Sequence, residues 1–220
     1  VWSGSPNRND NILALQSLPA LRRLIFAGEN AKAQKLANQT IISKTSQGQM
    51  YEPVGDLKVD FDPNGTGSSA YTRYYRELSL DSAVSTTTYR AAGVDYKRVV
   101  FVSKPDQVIV MHLTASKDHA ISFTARYATP VPGVKVAAAG NELILEGVTI
   151  DHESVKGKVR FKAVSRFVQS GGTIRAHDTS LQVQGASSVT VFISIATNVK
   201  SYQDLSADEG QRVKEYLDKA

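Results

Sequence analysis

From Asp56 to Thr197 the apolar residues of this chain recur at every second position, and no long helical pattern interrupts them. Val159, Phe161, Ala163, Ser165 and Phe167 point one way, while Arg160, Lys162 and Arg166 point the other. Val189, Val191, Ile193 and Ile195 alternate in the same manner. A period of two sends successive side chains to opposite faces of a sheet. Val99–Val102 and Val108–Leu113 are more uniformly apolar, the pattern of central strands covered on both faces. Turn signals at Asn64-Gly65, Gly93, Pro105-Asp106, Gly140-Asn141 and Gly171-Gly172 punctuate the stretch. The expectation is a large antiparallel sandwich of roughly ten or more strands.

The flanks change character. Residues 9–42 carry Leu18, Leu21, Leu24 and Ile25 at helical spacing, with Pro19 placed in a first turn and Gly28 as a stop. Asn30 to Ile42 sets Ala33, Leu36 and Ala37 on one side. Together they predict a helical hairpin lying on something larger, closed by the polar stretch Ser43 to Gln49. At the other end, Ser206 and Glu209 form a capping box ahead of Val213, Tyr216 and Leu217. That helix reaches Ala220 without a Gly or Pro stop. It reads either as a terminal helix docked on its own domain or as a linker into another one.

At 220 residues there is material for one large all-β domain or two small ones. Hydrophobic and charged fractions of 41% and 21% are those of a soluble protein, and no apolar run reaches the length of a membrane span. With no Cys, disulfides, a thiolate nucleophile and Cys-ligated zinc are excluded. The net charge of +5 invites an anionic partner. Its densest stretch, Arg73, Arg76, Arg90, Lys97 and Arg98, alternates with Tyr, Glu, Asp and Val rather than forming a block. Solvated strand faces account for it, and no nucleic-acid motif accompanies it.

Each pattern that suggests chemistry has a plainer explanation. Asp60-Phe61-Asp62-Pro63-Asn64-Gly65 matches the opening of a calcium loop, yet the twelfth position is Tyr71 instead of Glu. A β-turn on Pro63-Asn64-Gly65 accounts for the same residues. His112, His119, His152 and His177 have no metal-ligand spacing. Asp60/Asp62 and Asp151/Glu153 each share a strand face, as many surface pairs do. Tyr71, Tyr74, Tyr75, Tyr89, Tyr96 and Tyr127 could stack on sugar rings, although cross-strand aromatic packing in a sandwich is the better explanation of them. Asn38-Gln39-Thr40 and Asn64-Gly65-Thr66 match the glycosylation acceptor pattern, which is frequent by chance. Residue chemistry alone gives no catalytic site and no metal site.

The opening Val1-Trp2-Ser3-Gly4-Ser5-Pro6 lacks an initiator Met, a basic n-region and an apolar h-region, and reads as the middle of a longer protein. It is also the first of an ordered set of segments. Leu21-Arg22-Arg23-Leu24-Ile25-Phe26-Ala27-Gly28 and Ala33-Gln34-Lys35-Leu36-Ala37 follow, then Tyr51-Glu52-Pro53-Val54-Gly55-Asp56-Leu57. Tyr74-Tyr75-Arg76-Glu77-Leu78-Ser79-Leu80-Asp81, Val94-Asp95-Tyr96-Lys97-Arg98 and Ser103-Lys104-Pro105-Asp106-Gln107-Val108-Ile109-Val110 complete it. This set resembles the N-terminal domain of glycoside hydrolase family 95, the inverting α-L-fucosidases, and Val159 to Asn198 continues the likeness more loosely.

The resemblance implies a β-super-sandwich over residues 1–198, with a helical insertion at about 9–42 and its first strands lying before Val1. It further implies that residues 199–220 begin a helical linker to an (α/α)6 barrel. That barrel, carrying the catalytic acid and base, is the partner it implies, and fucosylated glycans are met through it. No cofactor, nucleic acid or membrane span is implied, and a periplasmic or extracellular, bacterial setting is. The chain itself is then a non-catalytic support for the barrel. Exposure of Trp2, Leu24, Phe26 or Tyr216 would fit such an interface. Trp2, Ser3 and Gly4 stand either as a rim contact on the sugar pocket or as packing residues. The competing expectation is a free-standing carbohydrate-binding or surface-adhesion sandwich.

Overall fold

Two antiparallel sheets form from the period-two stretch in the computed structural model, which describes residues 1–43, 48–61 and 70–220. The helices are α1 (Ala14–Phe26), α2 (Asn30–Thr40) and α3 (Glu209–Lys219). The strands are β1 (Asp56–Asp60), β2 (Thr72–Ser79), β3 (Val84–Ala91), β4 (Val94–Ser103), β5 (Val108–Ala115) and β6 (Ile121–Ala128). They continue with β7 (Lys135–Ala139), β8 (Glu142–Val148), β9 (Arg160–Ser170), β10 (Thr173–His177), β11 (Ser180–Ala186) and β12 (Ser188–Thr197). The larger sheet runs β2-β3-β4-β5-β12-β9-β8-β7 and the smaller β1-β6-β11-β10. The mainly β class, the sandwich, the helical pair and the C-terminal helix all agree with the sequence.

Alternation decides which residues meet between the sheets. Val189 and Val191 of β12 lie opposite Leu113 and Met111 of β5 on one side, and Val191 lies opposite Phe167 of β9 on the other. They pack on Ile121, Phe123, Leu181 and Val183 from the smaller sheet, and all of these are buried. A fully buried Val, Leu or Phe contributes about 1.5–3 kcal/mol, so this layer carries most of the fold.

The other face of the larger sheet is covered by α3. Val213 and Leu217 sit on Val108, Val110, Val164 and Ala196, which is why β5 reads as apolar throughout. Three arginines fasten the helix. Arg160 Nε donates to Glu209 at 2.8 Å, and Arg166 reaches the Leu217 carbonyl at 3.0 Å. Arg212 donates to the carbonyls of Thr197 and Val199. At the turn before α3, buried Asn198 accepts from Arg160 N and donates to the carbonyls of Lys158 and Leu205.

Three local expectations are corrected. Val99–Val102 is not covered on both faces: Phe101 and Val102 are exposed, Val102 at 70%. β4 lies in the half of the larger sheet that neither α3 nor most of the smaller sheet reaches, and β2 beyond it is exposed except at half-buried Ser79. Pro19 sits inside α1 rather than in its first turn. The helix starts earlier because Asn11 accepts from the Leu13 amide while donating to the carbonyls of Gln39 and Ile42, which ties its start to the end of α2. The cap of α3 is Asp208, whose carboxylate accepts from Gln211 N at 2.8 Å. Ser206 instead meets Lys200, and Glu209 is taken by Arg160. Gly28 ends the helical turn as expected, at φ +74°.

Candidate functional site

The opening segment is built into the sheet margin by a short antiparallel ladder. Val1 and Glu52 exchange backbone hydrogen bonds, Trp2 bridges Tyr51, and Ser3 N donates to Met50 O at 2.8 Å. On its far side Gly4 O accepts from Lys158 N at 2.8 Å. Ser3 and Gly4 are buried, whereas Trp2 is half-buried. Gly4 has φ +93°, and a Cβ there would stand 2.4 Å from Gln49 Oε1. Glu52, itself buried, accepts from Ile150 N at 3.2 Å. The Ser3 hydroxyl is buried without a hydrogen-bond partner among the described residues.

A second feature lies where the margin of the smaller sheet, at Val59 and Ile121, meets β3 and β4 of the larger one. Phe61, Tyr71, Tyr74, Tyr89 and Tyr96 line a cavity of about 250 Å³, with Arg98 on its wall. Strand register creates it: Tyr89 lies opposite Tyr96, and the next row sets Arg76, buried Thr87 and Arg98 abreast. The Tyr89 and Tyr96 rings stack at 5.1 Å, and Tyr71 tilts on Tyr74 at 5.7 Å, distances typical of favourable ring pairs. Burial pushes the phenols of Tyr89 and Tyr96 upward. Neither Arg76 nor Arg98 has a carboxylate partner among the described residues.

Thus four of the six tyrosines converge and two do not. Tyr75 lies opposite Thr88, on the reverse face, and donates to Glu77 at 2.7 Å. Tyr127 belongs to the core: its hydroxyl pairs with the Ser165 hydroxyl at 2.6 Å, and burial drives its pKa up to about 12 despite that bond. Trp2, Ser3 and Gly4 are not among the residues that line the aromatic cavity.

Several of the remaining candidates are held by neighbours. His112 Nδ1 pairs with the Thr190 hydroxyl and His119 Nδ1 with the Gly185 carbonyl, each at 2.8 Å. Lys156 and the Gly157 amide hold Asp151 below the usual carboxylate range. No group of three or more His, Asp or Glu among the described residues could hold a metal ion. Thr40 of the Asn38-Gln39-Thr40 pattern spends its hydroxyl on Leu36 O. Asp62 to Gly65 of the calcium-loop pattern, and Asn64-Gly65-Thr66, lie outside the described residues. The Arg76–Thr87–Arg98 row escaped the sequence reading, because only the pairing of three strands reveals it.

Over residues 1–202 the sequence matches the family described as "Glycosyl hydrolase family 65, N-terminal domain". The chain belongs to this family. It is 35% identical over 133 residues to alpha-L-fucosidase 2 of Arabidopsis thaliana, which covers 58% of this chain and 15% of the relative. It is 26% identical over 157 residues to a protein named probable alpha-fucosidase A of Aspergillus niger, covering 68% of this chain and 19% of that one. Among solved structures, one titled "Putative kojibiose phosphorylase from human microbiome" is similar with a TM-score of 0.45 and 11% identity, over 80% of this chain and 30% of that one. The matched family bears the number 65, while the relatives named as fucosidases agree with the family 95 resemblance. Both make the chain an N-terminal domain of a glycoside hydrolase. It spans less than a fifth of the fucosidase relatives' length.

Proposed function

We propose that this chain is the non-catalytic N-terminal domain of an enzyme resembling the inverting α-L-fucosidases, and that it packs against and supports a catalytic barrel in the same polypeptide. The observation that carries this reading is the family match, which covers the sandwich up to residue 202 and stops before α3. Inverting hydrolysis needs an acid to protonate the leaving oxygen and a base to activate water, their carboxyls about 6.5–9.5 Å apart across the sugar. Four of the carboxylates here have structural partners. Glu209 and Glu142 hold arginines, Asp151 holds Lys156, and Glu52 accepts from the Ile150 amide. The test is hydrolysis of an aryl α-L-fucoside. The full-length protein is expected to turn it over and residues 1–220 alone are not; turnover by the isolated chain overturns the proposal.

The same reading includes first strands that precede Val1. Supporting it, β1 pairs only with β6 among the described residues, where a sheet of four strands faces one of eight. Strands added beside β1 would extend over the half of the larger sheet that most of the smaller one does not reach. Residues 199–220 then act as the start of the linker, and Trp2, half-buried beside fixed Ser3 and Gly4, contributes a rim contact. A Trp2→Ala change in the full-length enzyme that leaves KM unchanged removes that role. An exported setting, periplasmic or extracellular, belongs to the same reading and is tested by cell fractionation.

The aromatic cavity favours a second reading, a carbohydrate-binding face, because sugar rings stack on tyrosine faces and cavity walls of mixed ring and guanidinium character suit them. Calorimetric titration of the full-length protein carrying an inactivated barrel, with and without Tyr89→Ala, separates the two. The support reading predicts identical isotherms; the binding reading predicts loss of one site in the variant.

A further inference from the structure

The α1–α2 hairpin carries an apolar surface that none of the described residues covers. α1 buries no residue, and its half-buried side is Ala14, Ser17, Ala20, Leu21 and Leu24. Beside it, Leu18 and Ile25 each stand one turn from Leu21, and Leu15 and Phe26 lie further round the helix, with Ile12 just before it. Leu15 is 82% exposed, Phe26 87% and Ile12 85%. Monomer surfaces scatter large apolar residues singly, whereas a contiguous stripe marks an interface. Of the residues expected to mark one, Phe26 is exposed, while Trp2, Leu24 and Tyr216 are half-buried.

The charges around the stripe describe what it meets. Lys32 is paired with Glu29 and Arg8 with Asp10. Arg22, between Leu18 and Ile25, together with Arg23 and Lys35, has no acidic partner among the described residues. A second copy of the chain meeting this face about a two-fold axis would set these cations against themselves. The face therefore fits an apolar surface with an acidic rim.

We propose that the hairpin is the docking element by which this domain seats on the rest of its own polypeptide, the catalytic domain inferred above. This rests on that reading, and it names the surface that the reading leaves open. The relatives are more than five times the length that this chain matches, so a large body on the same chain is available. Tethering also gives that body an effective concentration of about millimolar, far above that of a second copy.

The experiment is maleimide labelling of the full-length protein carrying Leu15→Cys, Phe26→Cys or, as an exposed control on α2, Gln34→Cys, read by mass spectrometry of the hairpin peptides. Leu15→Cys and Phe26→Cys are expected to label roughly tenfold more slowly than Gln34→Cys, in a species that sedimentation shows to be monomeric. Equal rates overturn the proposal, and so does protection that vanishes when an oligomer is diluted to monomer. Adding Arg22→Glu to the Leu15→Cys protein should raise its labelling rate by opposing the acidic rim, and an unchanged rate overturns that part. Fucosidase activity measured on the same samples keeps the two proposals apart. An active protein with a fully labelled hairpin sinks the docking surface alone, and an inactive one with a protected hairpin sinks the function alone.

Discussion

Gly4 and Gly157 show how the consequence of a single added methyl depends on what stands in its way. At Gly157 a Cβ would fall 1.8 Å from the Thr149 carbonyl oxygen, which is backbone in a residue whose amide is tied to Val159 O. At Gly4 the obstacle is the end of the Gln49 side chain, which can swing aside, so the positive φ is the main expense. Gly4→Ala should cost about 1–3 kcal/mol, or roughly 2–4 °C in Tm per kcal/mol at this chain length. Gly157→Ala should lose more, and a thermal melt of both variants that ranked them the other way would contradict this. Tyr127 offers a second check. Its hydroxyl and that of Ser165 satisfy each other inside the core, so Tyr127→Phe strands Ser165 and should cost about 1–3 kcal/mol. In the wild type, ultraviolet titration should find this phenol protonated until pH about 12; ionisation near pH 10 would mean that the site is wet.

At the scale of elements, α3 is held by apolar contacts that ignore pH and by a carboxylate that does not. Burial works to raise the Glu209 pKa, but the hydrogen bond and charge of Arg160 outweigh it and leave the group below its usual range. A depressed folded-state value means stability that is present above the unfolded carboxylate value of about 4.3 and is lost as pH falls through the folded one. Wild type should therefore melt above Glu209→Gln at neutral pH, and the gap should close on acidification below about pH 4. A gap that persists there would show that the Arg160–Glu209 pair is not its source. The strands were legible in the sequence because burial on one face leaves a period of two, as at Val189, Val191 and Ile193. Element boundaries were less so: Pro19 looks like a helix start until Asn11 is seen reaching across to Gln39 and Ile42. Ser206 looks like a cap until Asp208, two residues on, is seen to take the amide. Of the candidate site, the tyrosines were visible, but alternation alone cannot separate four that converge from two that do not, since only register joins β2, β3 and β4.

At the scale of the whole molecule, strand order sets how the parts depend on one another. Removing α3 uncovers Val108, Val110, Val164 and Ala196 on one face but leaves every strand pair intact. A chain ending at Asn198 should thus remain folded with reduced stability, observable as a lowered yet still cooperative melt. A chain ending at Ala186 should not fold, because β12 is the strand that joins β5 to β9. Retention of native circular dichroism by that shorter chain would refute the dependence.

The position of β12 also has a temporal meaning. β12, the last of these strands in chain order, occupies the middle of the larger sheet, between nearby β9 and the far earlier β5. On the ribosome, β2–β5 and β7–β9 emerge as two half-sheets that cannot join until Thr197 has cleared the exit tunnel. Pairings this distant in sequence close slowly, and for that interval the inner edges of both halves stand open. The nascent chain is consequently most exposed to misassembly at the moment just before the domain is complete.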